Sequence, residues 1–110
     1  MVAIKFSTDY RQIHASWTDS DGENRKFQAT VHPLFGQWEA DKADIALDNV
    51  SQDDKGVFSL TESSHNPEDG SFKLKFVGGE QEKSVVITGT LPLHCGFDPK
   101  VLGAQGFFVK

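Results

Sequence analysis

Apolar and polar residues alternate along most of this chain, and the alternation stops at turn residues. Val2, Ile4 and Phe6 share one side of the opening run, Ile13, Ala15 and Trp17 one side of IHASW, and Phe27, Ala29 and Val31 one side of KFQATV. Downstream the pattern returns in Phe58 and Leu60, in Phe72, Leu74 and Phe76, and in Val85, Ile87 and Leu91 with Gly89 among them. In the closing GFFVK, Phe107 and Val109 face one way. Side chains of a strand alternate between its two faces, so each run predicts a strand with one buried face. The dipeptides Asp21–Gly22, Asn66–Pro67, Asp69–Gly70, Gly78–Gly79 and Asp98–Pro99 fall where the alternation breaks, and each favours a turn. Strand signals spaced in this way predict an all-β, single-domain antiparallel β-sandwich of jelly-roll or Greek-key type over residues 1–110, with about seven to eight strands.

One segment is ambiguous. WEADKADIALDNV, residues 38–50, read as a helix aligns Ala43, Ala46, Leu47 and Val50 at three-four spacing, with acids favouring the first turn. Read as a strand, it turns Ile45 and Leu47 inward and Asp44 and Asp48 outward. The surrounding strand signals favour a strand preceded by a helical turn, and a short helix near 39–49 is the alternative.

Composition changes the picture in three places. The chain has 110 residues, 37% of them hydrophobic and 25% charged, and nine of its twelve aromatics are Phe. Phe buries area without needing a polar partner, so this composition belongs to a folded domain with one core. The net charge is −5. Residues 39–54 carry Glu39, Asp41, Asp44, Asp48, Asp53 and Asp54 against Lys42 alone, which accounts for the whole imbalance. With no basic cluster beyond Arg25–Lys26, the chain lacks the surface that neutralises phosphates, so nucleic acid is not an expected partner. Cys95 is the single cysteine, which leaves no partner for an internal disulfide. The apolar run at the N-terminus is too short for a signal peptide, and no window reaches the length of a membrane span. The expectation is a reduced, soluble, cytoplasmic protein with no membrane partner.

The candidate chemistry begins with WTDSDGENRKF, residues 17–27. Aligned as a calcium loop with Gly22 at position six, it puts Asp19 at three and Asp21 at five. Trp17 then falls at position one and Gln28 at twelve, where ligands are required. SQDDKGVFSLTE fails similarly, with Ser51 at one and Lys55 at five. The simpler reading is a turn, in which Asp-Gly supplies a positive φ and Asp19, Asp21 and Asn24 bond to nearby backbone. Trp17 is expected in the core. Trp38, beside Gln37, Glu39 and Asp41, offers a flat ring with acceptors around it, the combination that sugar binding uses. His14, His32, His65 and His94 match no zinc spacing. His94–Cys95 could share a metal, or act as base and nucleophile, only from a loop. No G-x-S-x-G, phosphate loop or H-E-x-x-H motif is present.

These residues point to a non-catalytic, lectin-like binding module with no cofactor and no metal, whose partner is a carbohydrate or a protein. Its expected ligand residues are Trp38, Glu39, Asp41, Asp19, Asp21 and Asn24. A protein partner drawn by the acidic stretch would be basic. The alternative is a structural subunit forming a homo-oligomer through edge strands, with GFFVK or VAIKF at the contact. A ligand-enclosing barrel ranks third, because the many Phe residues fill an interior and do not hollow it.

Overall fold

Eleven strands follow one another among the described residues: β1 Val2–Ala3, β2 Lys5–Asp9, β3 Gln12–Thr18, β4 Asn24–Thr30, β5 Pro33–Phe35, β6 Lys42–Asp48, β7 Phe58–His65, β8 Ser71–Gly78, β9 Lys83–Thr90, β10 Gly96–Phe97 and β11 Gln105–Val109. The computed structural model describes these strands together with residues 22–23, 40–41, 50, 56–57, 66–70, 91–92 and 104, and for β1, β2, β5 and β10 it describes the backbone path. Among the described residues there is no helix. Residues 42–48 form a strand, which corrects the helical alternative for that segment; Trp38, Glu39 and Asn49 lie outside the described residues. The winning pattern is period two, with Ala43 and Ile45 buried and Asp48 exposed, but it stops short of Leu47, which was expected inward and is exposed.

Nine of the strands make one antiparallel sheet, in the order β1-β6-β9-β8-β7-β11-β4-β3-β2. The sandwich expectation has two sheets face to face; here the seven strands from β6 to β3 form a continuous curled sheet, a half-barrel. Its two flanking members, β1 and β2, are consecutive in the chain with Ile4 between them, so the N-terminal segment pairs with β6 at one end of the order and β3 at the other. A separate two-stranded ribbon pairs β5 with β10.

The sheet curls around its Phe side chains. Among the described residues, Phe27, Phe58, Phe76, Ile13, Ile45, Leu74, Ile87, Leu91 and Val85 are the largest fully buried side chains, and the buried apolar residues belong to one cluster. Phe27 sits among three other rings, with centroids 5.3 Å from Phe76, 5.2 Å from Phe108 and 6.1 Å from Phe58, all edge to face. Such contacts contribute about 0.5–1.5 kcal/mol each beyond the area they bury. The concave face of a curled sheet is crowded, and glycine opposite a ring relieves it. Gly78 pairs with Phe58, and a Cβ there would fall 2.3 Å from that ring. Gly106 lies under Phe27, where a Cβ would fall 2.5 Å from the ring.

A bulge in β7 keeps the pattern consistent. Phe58 and Leu60 point inward, but strict alternation would then send Glu62 into the core. The register with β8 shifts between Leu60 and Glu62, Thr61 and Glu62 are both exposed, and Ser63 becomes the residue opposite Leu74. One extra residue thus moves an acid to the surface. The Thr61 hydroxyl in the bulge donates to the Lys75 carbonyl at 3.3 Å.

The turn dipeptides perform as expected where they are described. Between β7 and β8, the Gly70 N–H donates to the Asn66 carbonyl at 2.8 Å, and Gly70 has φ +77°. The Glu68 N–H donates to Asn66 Oδ1 at 3.0 Å and the Ser71 N–H to Asp69 Oδ1 at 2.9 Å. Those bonds from Ser71, backbone first and hydroxyl second, hold the Asp69 carboxyl below its ordinary value of 3.8, with the nearby His65 adding to the effect. No helix among the described residues is long and apolar enough to cross a membrane.

Candidate functional site

Polar side chains converge on the convex face of β3, β4 and β11. The β3–β4 register pairs His14 with Gln28, Ser16 with Lys26 and Thr18 with Asn24. All six alternate with the buried Ile13, Ala15, Trp17, Arg25, Phe27 and Ala29, so they stand on the outer face. β11 adds Phe107 opposite Gln28 and Val109 opposite Lys26. A cavity of about 410 Å³ opens here, lined by His14, Ser16, Lys26, Gln28 and Val109 over a floor of Ala15 and Phe27. A second hollow of about 300 Å³ continues towards the β3–β4 turn past Thr18, Asn24 and Arg25, and shares Ser16 and Lys26 with the first.

The bonding inside this region is uneven. The Gln28 amide donates to Gln12 Oε1, and the Thr18 hydroxyl donates to Asn24 Oδ1 at 3.0 Å. Among the described residues, no hydrogen bond or ion pair engages the side chains of His14, Ser16 or Lys26. The cavity therefore offers an imidazole, a hydroxyl and an ammonium group with their bonding capacity open. Phe107 stands beside them 44% exposed, whereas Phe108 turns inward against Phe27, Phe58 and Trp17. Phe107 and Val109 do share a face, as the sequence predicts, and that face is the outer one.

The sequence-predicted ligand residues divide into three groups. Asn24 opens β4 and lines the smaller hollow. Asp41 is exposed just before β6, its N–H donating to the Thr90 carbonyl at 2.9 Å. Asp19, Asp21, Trp38 and Glu39 lie outside the described residues, as do His94 and Cys95. Following the antiparallel order from β4 through β11, β7, β8 and β9 to β6 puts the start of β4 and the start of β6 at opposite ends of the sheet. Asn24 and Asp41 therefore do not form one site. Gly22 has φ +85°, the left-handed conformation that the turn reading assigned to Asp-Gly.

His14, Ser16, Lys26 and Gln28 were not among the expected ligand residues. The signal was present: with a turn at Asp21–Gly22, the polar positions of IHASW and NRKFQ face one another across the hairpin. On β7, Ser63 and His65 both follow the bulge, and among the described residues the Ser63 hydroxyl is buried without a hydrogen-bond partner. Among the described residues, no three His, Cys, Asp or Glu side chains gather as a metal site. No family model, curated protein or solved structure matches the chain. What the fold itself defines is a class: an all-β protein built on one curled antiparallel sheet.

Proposed function

We propose that this protein is a non-catalytic, lectin-like binding module, and that its carbohydrate ligand lies on the outer face of β3, β4 and β11. The observation that carries the reading is the 410 Å³ cavity, in which open polar groups surround a small apolar patch beside an exposed Phe ring. Small-ligand sites combine apolar contact area with a few well-placed donors and acceptors. Sugars need both at once, because each ring has an apolar face and a rim of hydroxyls. Val109 and Phe107 offer the first; His14, Ser16 and Gln28 offer the second. The sequence-predicted residues Trp38, Glu39 and Asp41 are the competing location for the same activity.

Binding to a glycan array, followed by mapping of amide shifts on the isotope-labelled chain, tests this. The expected result is a ligand that shifts amides of residues 14–16, 26–28 and 107–109 and weakens about tenfold in Phe107→Ala, the loss of one good apolar contact. Shifts confined to residues near Asp41 would move the site to the other end of the sheet. An array with no bound glycan would overturn the carbohydrate reading and leave a protein as the partner. For the assembly alternative, β11 runs inside the sheet between β4 and β7, so GFFVK is not an edge, whereas VAIKF supplies β1 and β2 at the two ends of the strand order.

A further inference from the structure

The charge on this face differs from that of the rest of the chain. With sixteen Asp and Glu against eleven Lys and Arg, the protein is strongly acidic. Yet none of the outward positions on β3 from Gln12 to Thr18, on β4 from Asn24 to Thr30, or on β11 from Gln105 to Val109 is a carboxylate. Lys26 is exposed at the junction of the two hollows and no acid among the described residues pairs with it. Among the other described lysines, Lys73 Nζ lies 3.8 Å from Glu62 Oε2, whereas Lys42 and Lys75, like Lys26, have no acid partner among the described residues. What sets Lys26 apart is its place between the two hollows.

We infer that the sugar held by this face is anionic, with its negative group on Lys26 and its hydroxyls on His14, Ser16 and Gln28. This rests on the carbohydrate reading of the same cavity. An exposed cation at the rim of a cavity, with no carboxylate at the outward positions of β3, β4 or β11, attracts an anion at short range. The acids elsewhere on the chain repel the same ligand from other surfaces, so the charge pattern directs it to this face. Among the described side chains of this face Lys26 is the one ammonium, too little for a nucleic-acid backbone, which requires several phosphate contacts. Lysine is a compact point charge without the planar fork of arginine, so the site accepts either a carboxylate or a sulfate on the sugar.

The test is a glycan array carrying matched neutral, carboxylated and sulfated glycans, probed with the wild-type chain, Lys26→Gln and Lys73→Gln at low and at high salt. Both substitutions are at exposed positions, and circular dichroism checks that each variant is folded. Wild type is expected to favour the charged glycans about tenfold over their neutral counterparts, a preference that shrinks with salt and disappears in Lys26→Gln but not in Lys73→Gln. The carboxylated and sulfated arms show which group the cavity takes. Equal binding of neutral and charged glycans, unaffected by salt, would overturn the inference and leave the carbohydrate reading standing. If no glycan binds at all, both fall.

Discussion

The β3–β4 and β7–β8 hairpins share an inner face and differ on the outer one. Inside, both contribute Phe residues to the same cluster, and Phe27 of one meets Phe76 of the other at 5.3 Å. Outside, several polar groups of the β7–β8 hairpin are bonded within it: Asn66 and Asp69 accept backbone N–H groups, Thr61 bonds to the Lys75 carbonyl, and Lys73 faces Glu62. The β3–β4 hairpin leaves His14, Ser16 and Lys26 open around a cavity. The residue types are similar in kind, so composition does not separate a structural turn from a candidate site. What separates them is whether the polar groups already have partners, because a group bonded within the protein offers little to a ligand.

The comparison should fail on the inner face, where the effects are largest. Phe27→Ala and Phe76→Ala are each expected to cost about 3–5 kcal/mol in chemical denaturation. Because the rings touch, the double variant should lose less than the sum. If Phe27→Ala were nearly neutral, the shared core would not extend under the β3–β4 hairpin. Substitution at the turn glycines comes next. Both Gly22 and Gly70 have positive φ, but a Cβ at Gly22 meets open space while one at Gly70 would fall 2.2 Å from the Leu91 carbonyl oxygen. Gly22→Ala should therefore cost about 1 kcal/mol, the penalty for the left-handed conformation. Gly70→Ala should cost clearly more, and equal losses would show that the packing beneath the β7–β8 turn yields freely.

Acid sharpens the contrast further. The Asp69 carboxyl is held below 3.8 in the folded protein, so its bonds to Ser71 stabilise the fold above that value and lose their effect as pH falls through the lower, folded value. Asp69→Asn should flatten the acid limb of the stability profile, read from denaturation midpoints between about pH 5 and pH 2. A profile unchanged by the substitution would mean that the turn does not hold the carboxylate. The smallest stability effects belong to the lysines. Lys26→Gln and Lys73→Gln should each stay within about 0.5 kcal/mol of wild type, Lys73 because exposed ion pairs contribute about 0–1 kcal/mol. Only Lys26→Gln should alter ligand binding.

Much of the fold was legible because burial writes a period of two into strands. Ile13, Ala15, Trp17, Phe27, Ala29, Phe58, Leu60, Phe72, Leu74, Phe76, Val85, Ile87 and Leu91 were all expected inward and all are buried. The segment from Lys42 to Asp48 was harder, since its apolar positions satisfy three-four spacing as well as alternation, and pairing with β9 along its whole length made it a strand. The paired Phe residues of GFFVK carry no alternation between them, so only contact with Phe27 and Phe58 shows that Phe108 is the inner one. The bulge after Leu60 left no local signature beyond the acid it expels.

By itself, then, the sequence determined an all-β chain, the positions of most strands, the inward residues and the turns at Gly22 and Gly70. These are local consequences of side-chain alternation and of backbone conformations that glycine tolerates. Only the tertiary structure decided that the strands make one curled sheet, that β11 inserts between β4 and β7, and that Asn24 and Asp41 lie at opposite ends. It also decided that His14, Ser16, Lys26 and Gln28 meet around one cavity. Strand order and cross-strand neighbours depend on contacts between residues far apart in the chain, and alternation within a strand is the same whichever partner lies beside it.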